Sequence, residues 1–487
     1  MDIKTDQYNE KAREELGNPH TQTFLRLLPP ILAARRETAY DCFQDPDAVH
    51  AYGARIRAEV MARLPELLET FEKQATANGA TVFWARDSRE ANGYILELAK
   101  KKGVSYVTKG KSMITEELAL NEVLKAHGIE TWETDLGEFI AQLLERPPFH
   151  IVGPAINIPV EQIRDVFLEK GVLEVPTTDP VELGLAARVF LREKFHHLEM
   201  GITGINFAVA ETGTIINVEN EGNIRFNKSS ARTQVSVMSL EKVVPTMADA
   251  MHLLRVLCRS CIGLPLGAYI TMDHGPIKSG ELDGPEELHI IILDNGRSRI
   301  YQNPRAREAL RCIRCGACLN ACPIYGKIGG YPYGWVYSGP MGQVLNPLLL
   351  GLDQTPDLIE ACTLCQRCKT ICPAGIDHPK MLLYYRNRNL ERDPFFKPGR
   401  VSVSKKTLYR LFSRAAGRPA FWRFLSKTLR LMANRHARDG VIRRMSSPAE
   451  GWFRSRDLPA FPERTFHEVW RDRLGETHGA GSNRGSS

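Results

Sequence analysis

Eight of the eleven cysteines in this 487-residue chain fall into two runs with the same spacing. The first is Cys312-x2-Cys315-x2-Cys318-x3-Cys322-Pro323, and the second is Cys362-x2-Cys365-x2-Cys368-x3-Cys372-Pro373. Three thiolates at x2 intervals wrap a tight turn around one cubane and reach three of its irons. The fourth cysteine, followed by a helix-breaking proline, points away to the other cubane. The spacing therefore predicts two 4Fe–4S clusters. Cys312, Cys315, Cys318 and Cys372 are expected to hold the first. Cys322, Cys362, Cys365 and Cys368 are expected to hold the second. Structural zinc favours paired C-x2-C units, a pattern that two four-cysteine runs ending in Cys-Pro do not follow. Two centres that exchange ligands this way lie close together, which suits the passing of single electrons rather than the binding of a substrate.

Thirty-nine residues separate Cys322 from Cys362, and the flanks 305–311, 356–361 and 379–389 have helical character. That arrangement resembles the α-helical ferredoxins of respiratory complexes more than the compact β-hairpin ferredoxins. The start, Met1-Asp2-Ile3-Lys4-Thr5-Asp6, has neither the basic opening nor the apolar run of a signal peptide. A cytoplasmic chain is the expectation, and clustered thiols there bind metal rather than pair as disulfides. The most apolar stretch, 247–270, is cut by Arg255, Arg259 and Pro265, so no transmembrane helix is expected.

The net charge of +7 is unevenly spread. From Lys380 to Ser487 there are 24 Lys+Arg against 9 Asp+Glu, so the remainder of the chain is net acidic. The basic excess belongs to the tail, and no nucleic-acid partner is expected. A docking face for an acidic partner subunit, or a solvated helical face, fits the tail better than a membrane anchor. Peripheral contact at the inner membrane surface is the remaining option.

Four stretches of the chain are expected. Residues 1–75 form a helical lead, in which Leu64, Leu67, Leu68 and Phe71 recur on one helix face. Residues 76–300 alternate strands and helices and predict a mostly parallel sheet covered on both faces. Its strands are expected at 81–84, 104–107, 129–132, 149–152, 235–238 and 288–293, with helices at 88–102, 115–127 and 248–259. Segments 205–210 and 214–218 flank Glu211-Thr212-Gly213 as a sharp strand-to-strand turn. Residues 301–390 form the cysteine-rich module, and 391–487 a basic extension whose end, from Gly475, reads as disordered.

Outside the cysteine runs the candidates are weaker. Glu211 beside Thr212-Gly213 offers a carboxylate at a strand end, where α/β proteins bind ligands, but turn chemistry accounts equally for the glycine. Lys111 with Ser112 could meet an anion at a helix start, or lie in a solvated loop. His150 ends an expected strand, and His196-His197 reads as a helix face. Cys258 and Cys261 form a C-x2-C inside an apolar helix and read as small core residues. Cys42 stands alone.

Segment 201–214 (GITGINFAVAETGT), Asn220-Glu221-Gly222-Asn223, Glu241-Lys242-Val243-Val244-Pro245, Lys109-Gly110-Lys111-Ser112-Met113 with Glu117, Asp135-Leu136-Gly137-Glu138 and His150-Ile151-Val152-Gly153-Pro154-Ala155 together resemble the LUD domain. A LUD domain followed by two ferredoxin motifs and a basic extension is similar to the L-lactate utilisation protein B family, over roughly 60–470. One departure is the stretch 233–239, where the family pattern carries a His and this chain has none. The resemblance implies a LUD fold of the CoA-transferase and folate cyclo-ligase type, then an α-helical di-cluster ferredoxin. It implies an electron-transfer iron–sulfur subunit of a complex oxidising L-lactate to pyruvate, non-catalytic or only partly catalytic by itself. The implied partners are a cysteine-rich redox subunit, a smaller LUD-domain subunit and an unidentified electron acceptor. Two other functions compete: an independent enzyme of acyl or anion chemistry with structural or sensing clusters, and a docking scaffold.

Overall fold

A computed structural model describes residues 3–399, 403–445, 453 and 456–479. The chain divides into two compact units, Met1–Arg400 and Val401–Ser487.

The first unit is built on a six-stranded sheet. In chain order its strands are β1 (Thr81–Ala85), β2 (Tyr106–Lys109), β3 (Glu130–Glu133), β4 (Met200–Gly204), β7 (Thr233–Ser239) and β10 (Glu287–Leu293), and in space they run β1-β10-β7-β4-β2-β3. Every pairing is parallel. The two central strands explain why. All seven residues of β7 are buried, as are all but the first of β10, so both faces must be covered by helices. A four-stranded sheet follows, in the order β8 (Val243–Val244), β5 (Phe207–Val209), β6 (Thr214–Glu219), β9 (Tyr269–Asp273). The turn joining β5 to β6 is the expected antiparallel one. Gly213 there has φ 70°, and a Cβ on it would stand 2.4 Å from the Ala75 backbone nitrogen. The helix Leu64–Ala77 therefore lies directly on the turn.

Local chemistry accounts for the element ends. Asp87 caps the helix Ser88–Lys101, its carboxylate accepting from the Arg89 and Glu90 amides at 2.9 and 3.0 Å. The single helix expected at 115–127 is two, Met113–Glu117 and Leu120–Ala126, broken where Ala119 takes φ 52°. The Asn92 side chain donates to the Leu118 carbonyl at 2.8 Å, satisfying the backbone at the break.

Two expectations fail. Residues 149–152 form bends rather than a fourth strand. The Phe149 carbonyl accepts from the Tyr325 hydroxyl at 3.0 Å, and its amide donates to Pro154 at 2.8 Å. A Cβ on Gly330 would fall 1.8 Å from that same carbonyl. The segment is thus pressed onto the cysteine-rich region instead of the sheet edge. Residues 356–361 form turns rather than a helix. The strand expected at 104–107 begins two residues later, and β9 was not expected at all.

The N-terminal helices are part of the same unit. Lys4 donates its amide to Gly334 at 2.8 Å, and the Tyr8 and Tyr333 rings meet edge-on at 5.8 Å. A Cβ on Gly53 would meet the Pro373 carbonyl at 2.7 Å, so the helix Pro46–Ala62 lies against the second cysteine run's closing proline. Between 301 and 390 the chain holds helices and turns without a strand.

The second unit contains the helices Val403–Ala416, Pro419–Asn434 and Phe466–Gly479 and a small three-stranded sheet. The Phe412 and Trp422 rings meet edge-on at 5.6 Å. The last helix reaches Gly479, and the rest of the disordered end expected from Gly475, residues 480–487, lies outside the described residues. Among the described residues no helix is long and apolar enough to cross a membrane.

Candidate metal centre

The two cysteine loops have one backbone. In each, the second residue after the leading cysteine and the residue after the next cysteine are left-handed: Arg314 (φ 62°) and Gly316 (φ 83°), Leu364 (φ 57°) and Gln366 (φ 65°). These kinks curl the chain inward. The Arg314 amide donates to the Cys312 sulfur at 3.3 Å, and the Leu364 amide to the Cys362 sulfur at the same distance. A short helix follows each loop, Ala317–Ala321 and Arg367–Thr370, carrying Cys318 and Cys368. The closing cysteines also accept at sulfur, Cys322 from Tyr325 and Cys372 from Ile376, both at 3.5 Å.

The eight thiols are unpaired and line two cavities. Cys312, Cys315, Cys318 and Cys372 line one, walled by Leu319, Tyr337 and Met341. Cys322, Cys362, Cys365 and Cys368 line another, beside Pro323 and Gln343. Among the described residues, no three His, Cys, Asp or Glu side chains converge tightly enough to hold a single metal ion. Thiols spread over the wall of a cavity suit a polynuclear cluster, whereas zinc draws its four ligands onto one point. The donor set therefore fits two cubanes.

Burial, and then the neighbouring thiolates, push Cys315 and Cys318 well above the ordinary thiol range. Burial pushes Cys372 and Cys322 up to about 11 and Cys368 to about 12. Crowded thiolates in a poorly solvated wall repel one another, and a cationic iron–sulfur core removes that penalty.

A buried ionic network joins the first loop to the α/β domain. Arg297 reaches Glu117 at 2.7 Å and Glu241 at 3.0 Å, and Arg314 reaches Glu241 at 2.9 Å. Tyr337 donates to Glu117 at 2.7 Å and carries Arg314 over its ring at 4.8 Å. Burial opposes the Glu241 charge, but Arg297 and Arg314 hold it down to about 2. Burial, then Arg314, push Lys242 down to about 7. Removing one member of such a network typically costs about 3–5 kcal/mol. Arg57 completes it. Arg57 is 1% exposed, and its guanidinium donates to the carbonyls of Arg311, Leu310, Glu241 and Val243 at 2.9, 3.0, 2.6 and 3.3 Å.

The structure separates the weaker candidates. Glu211 is exposed and accepts from the Met247 amide at 2.7 Å, so it secures the start of the helix Met247–Ile262. Lys111 donates to Asp135 at 3.2 Å and to the Val152 carbonyl at 2.8 Å. Burial works against the Lys111 charge, yet Asp135, Glu138 and Glu221 hold it above the ordinary lysine range. A Cβ on Gly316 would lie 3.1 Å from the Cys261 sulfur, 3.4 Å from Val152 and 3.7 Å from His150. The segment held by Lys111, together with His150 and Cys261, thus covers the outside of the first cysteine loop. Cys258 and Cys261 are buried in the helix Met247–Ile262, as core residues would be. His196 and His197 are exposed at a helix end, and Cys42 is exposed with its sulfur near Arg259.

The network's arginines were not among the sequence candidates. A signal for Arg57 was present: it sits on a helix stripe with Gly53, Ile56, Val60 and Met61, where an apolar residue is normal. Arg297 carries no comparable pattern, because its partners come from distant segments.

The comparisons agree with this geometry. A LUD domain model matches residues 68–293, a 4Fe-4S dicluster domain model 308–376, and a model of the lactate utilisation protein B C-terminal region 394–474. Lactate utilization protein B of Bacillus licheniformis is 39% identical over 98% of both chains, and that of Bacillus subtilis 38% identical over 97% of this chain and 98% of its own. The uncharacterized electron transport protein YkgF of Escherichia coli K12 is 38% identical over 97% of this chain and 98% of its own. A solved DUF162 family protein of Deinococcus radiodurans overlaps 47% of this chain at 13% identity and a TM-score of 0.26, from which no common fold follows. The dicluster match and the two cysteine-lined cavities agree on two 4Fe–4S clusters as the cofactors. With matched models along most of its length and relatives covering nearly all of it, this chain belongs to the lactate utilisation protein B family.

Proposed function

We propose that this chain is the electron-transfer iron–sulfur subunit of a complex that oxidises L-lactate to pyruvate. The observation that carries this reading is the pair of four-cysteine cavities joined through one short helix. Cys318 in Ala317–Ala321 lines one cavity and Cys322, its C-cap, lines the other. Four residues of helix rise separate them by only about 6 Å along the axis. The names of the relatives, lactate utilization protein B and electron transport protein, support the same reading.

Converting a 2-hydroxy acid to a 2-oxo acid releases two electrons and two protons. When bound, the two clusters supply acceptance and release of single electrons. The chain's own residues do the rest. Cys312, Cys315, Cys318 and Cys372 hold one centre, and Cys322, Cys362, Cys365 and Cys368 the other. The Arg314, Leu364, Tyr325 and Ile376 amides direct hydrogen bonds at ligand sulfurs, which stabilises the anionic form of each site. Leu319 and Tyr337 keep water from the first cavity. Partners are a cysteine-rich redox subunit and a smaller LUD-domain subunit in the cytoplasm. The basic extension contacts an acidic face of one of them.

Such a subunit is necessary for lactate oxidation and insufficient for it. In a complex purified from native cells, Cys315→Ser should abolish lactate-dependent dye reduction, and the isolated wild-type chain should show chemically reducible clusters without turnover. Normal lactate oxidation by a Cys315→Ser complex lacking that cluster would overturn the reading, and turnover by the isolated chain would favour an independent enzyme.

A further inference from the structure

The buried network is unbalanced. Three guanidiniums, Arg57, Arg297 and Arg314, meet two carboxylates, Glu117 and Glu241. Arg297 and Arg314 have those carboxylates as partners. Among the described residues, no carboxylate oxygen lies within 4.0 Å of the Arg57 guanidinium nitrogens, although Arg57 is almost wholly buried. Its hydrogen bonds go to four backbone carbonyls, which solvate a cation but do not neutralise it. An unneutralised buried charge is costly, and proteins keep one where an opposite charge stands close by.

Glu241 is the strongest opposite charge acting on Arg57, but it already pairs with Arg297 and Arg314, and the next is the thiolate of Cys312. Two of the four acceptors of Arg57, the carbonyls of Leu310 and Arg311, belong to the residues immediately before Cys312. The helix that carries it, Pro46–Ala62, also packs on Pro373, the residue after Cys372. Arg57 therefore approaches the first cavity from the side on which the two runs meet. A cubane held by four thiolates is a net anion, and reduction adds a further negative charge to it. A fixed cation beside it in a poorly solvated wall stabilises the reduced form more than the oxidised one.

We propose that the Arg57 guanidinium is the counter-charge of the cluster held at Cys312, Cys315, Cys318 and Cys372, and so raises that cluster's reduction potential. The proposal rests on the assignment of Cys312 and Cys315 to one cluster. Among the described residues the second site has no equivalent. Its nearest analogue, Arg386, donates to the Cys362 carbonyl at 3.1 Å, but it is partly exposed and faces Glu360 at 3.8 Å. The effect of Arg57 is therefore confined to one of two otherwise similar centres. Arg57 is a tuning residue that touches no substrate, and its signature is a potential rather than a rate.

The test is an anaerobic redox titration of the full-length, cluster-loaded chain, followed by electron paramagnetic resonance. The first cluster's signal is the one altered by Cys315→Ser, whichever way the closing cysteines pair. Arg57→Gln should make reduction of that cluster at least tenfold less favourable, a fall of 59 mV for one electron, and leave the other midpoint in place. Arg57→Lys, which keeps the charge and loses the forked hydrogen bonds, should recover most of the shift. Retention of the cluster by the Lys variant and its loss from the Gln variant would support the same conclusion. An Arg57→Gln chain with full clusters and unmoved midpoints, or with both midpoints moved equally, would show Arg57 to be only a hook for carbonyls. Loss of the cluster from both variants, the charge-keeping Lys included, would likewise show Arg57 to be a structural hook and overturn the proposal. An iron count below two clusters in the wild-type chain would instead overturn the proposed function.

Discussion

The two cysteine loops share a backbone and differ in almost everything around it. Both place left-handed residues at the same two positions, and both donate an amide to the leading cysteine's sulfur at 3.3 Å. In the first loop Ile313, Gly316, Ala317 and Leu319 are buried; in the second, Thr363, Cys365, Gln366 and Arg367 are exposed. The first is covered by the 149–152 segment and the helix Met247–Ile262 and wired to the α/β domain through Arg314. Ligand geometry thus dictates the loop, and its neighbours decide what kind of electron site it becomes. A buried loop beside fixed cations is suited to holding an electron, and an exposed one to exchanging it with a partner.

The largest expected effect separates the loops by their ligands. Cys372 belongs by sequence to the second run and lines the first cavity. Cys372→Ser should reduce an anaerobic preparation from about eight iron per chain to about four. The surviving signal should be the one that Cys365→Ser removes. Loss of the second cluster in place of the first would mean that each run closes on its own cysteine.

How much of this was legible in sequence follows from how local each cause is. The cysteine runs were, because cubane ligation imposes a spacing over a few residues. The turn at Gly213 was also local. The segment 149–152 has the apolar pattern of a strand, but that pattern serves a distant surface, Tyr325 and Gly330, that no short window contains. Glu211 drew attention at a strand end, yet its partner is the Met247 amide 36 residues away. Glu117 and Glu241 entered only as parts of a family pattern, and their pairing with Arg297 and Arg314 exists only in three dimensions. Asymmetry between the loops was therefore the least legible feature, since their spacings are identical.

A kinetic difference should follow from exposure. Cys365 is exposed, whereas none of the first site's cysteines is. Oxidants reach accessible thiolate sites first. During controlled admission of air to the reduced protein, the second cluster should be lost several times faster than the first. Paramagnetic resonance of the two signals with time measures this directly. Equal rates, or earlier loss of the first signal, would show that the covering segments do not shield the first site.

The smallest effect tests the comparison at one matched position. Gly316 and Gln366 occupy the same place in their loops, with φ 83° and 65°. A side chain in the left-handed region costs roughly 1–2 kcal/mol, a cost that Gln366 already bears. Gln366 is exposed, so crowding adds little to that strain. At Gly316 a Cβ would meet Cys261 at 3.1 Å, tight enough that the neighbour must give way. Gly316→Ala should therefore destabilise the loaded protein by about 2 kcal/mol, combining backbone strain and crowding. Gln366→Gly should change stability by less than about 1 kcal/mol, because relief of strain is offset by the greater freedom of glycine in the unfolded chain. Anaerobic denaturant titration of both variants gives the comparison. Adding Cys261→Ala to Gly316→Ala should recover the crowding part and leave the strain, provided the cavity it opens is refilled by the new methyl. A Gly316→Ala loss no larger than the roughly 1–2 kcal/mol of left-handed strain, with nothing recovered by Cys261→Ala, would mean that the cover over the first loop contributes nothing to holding it.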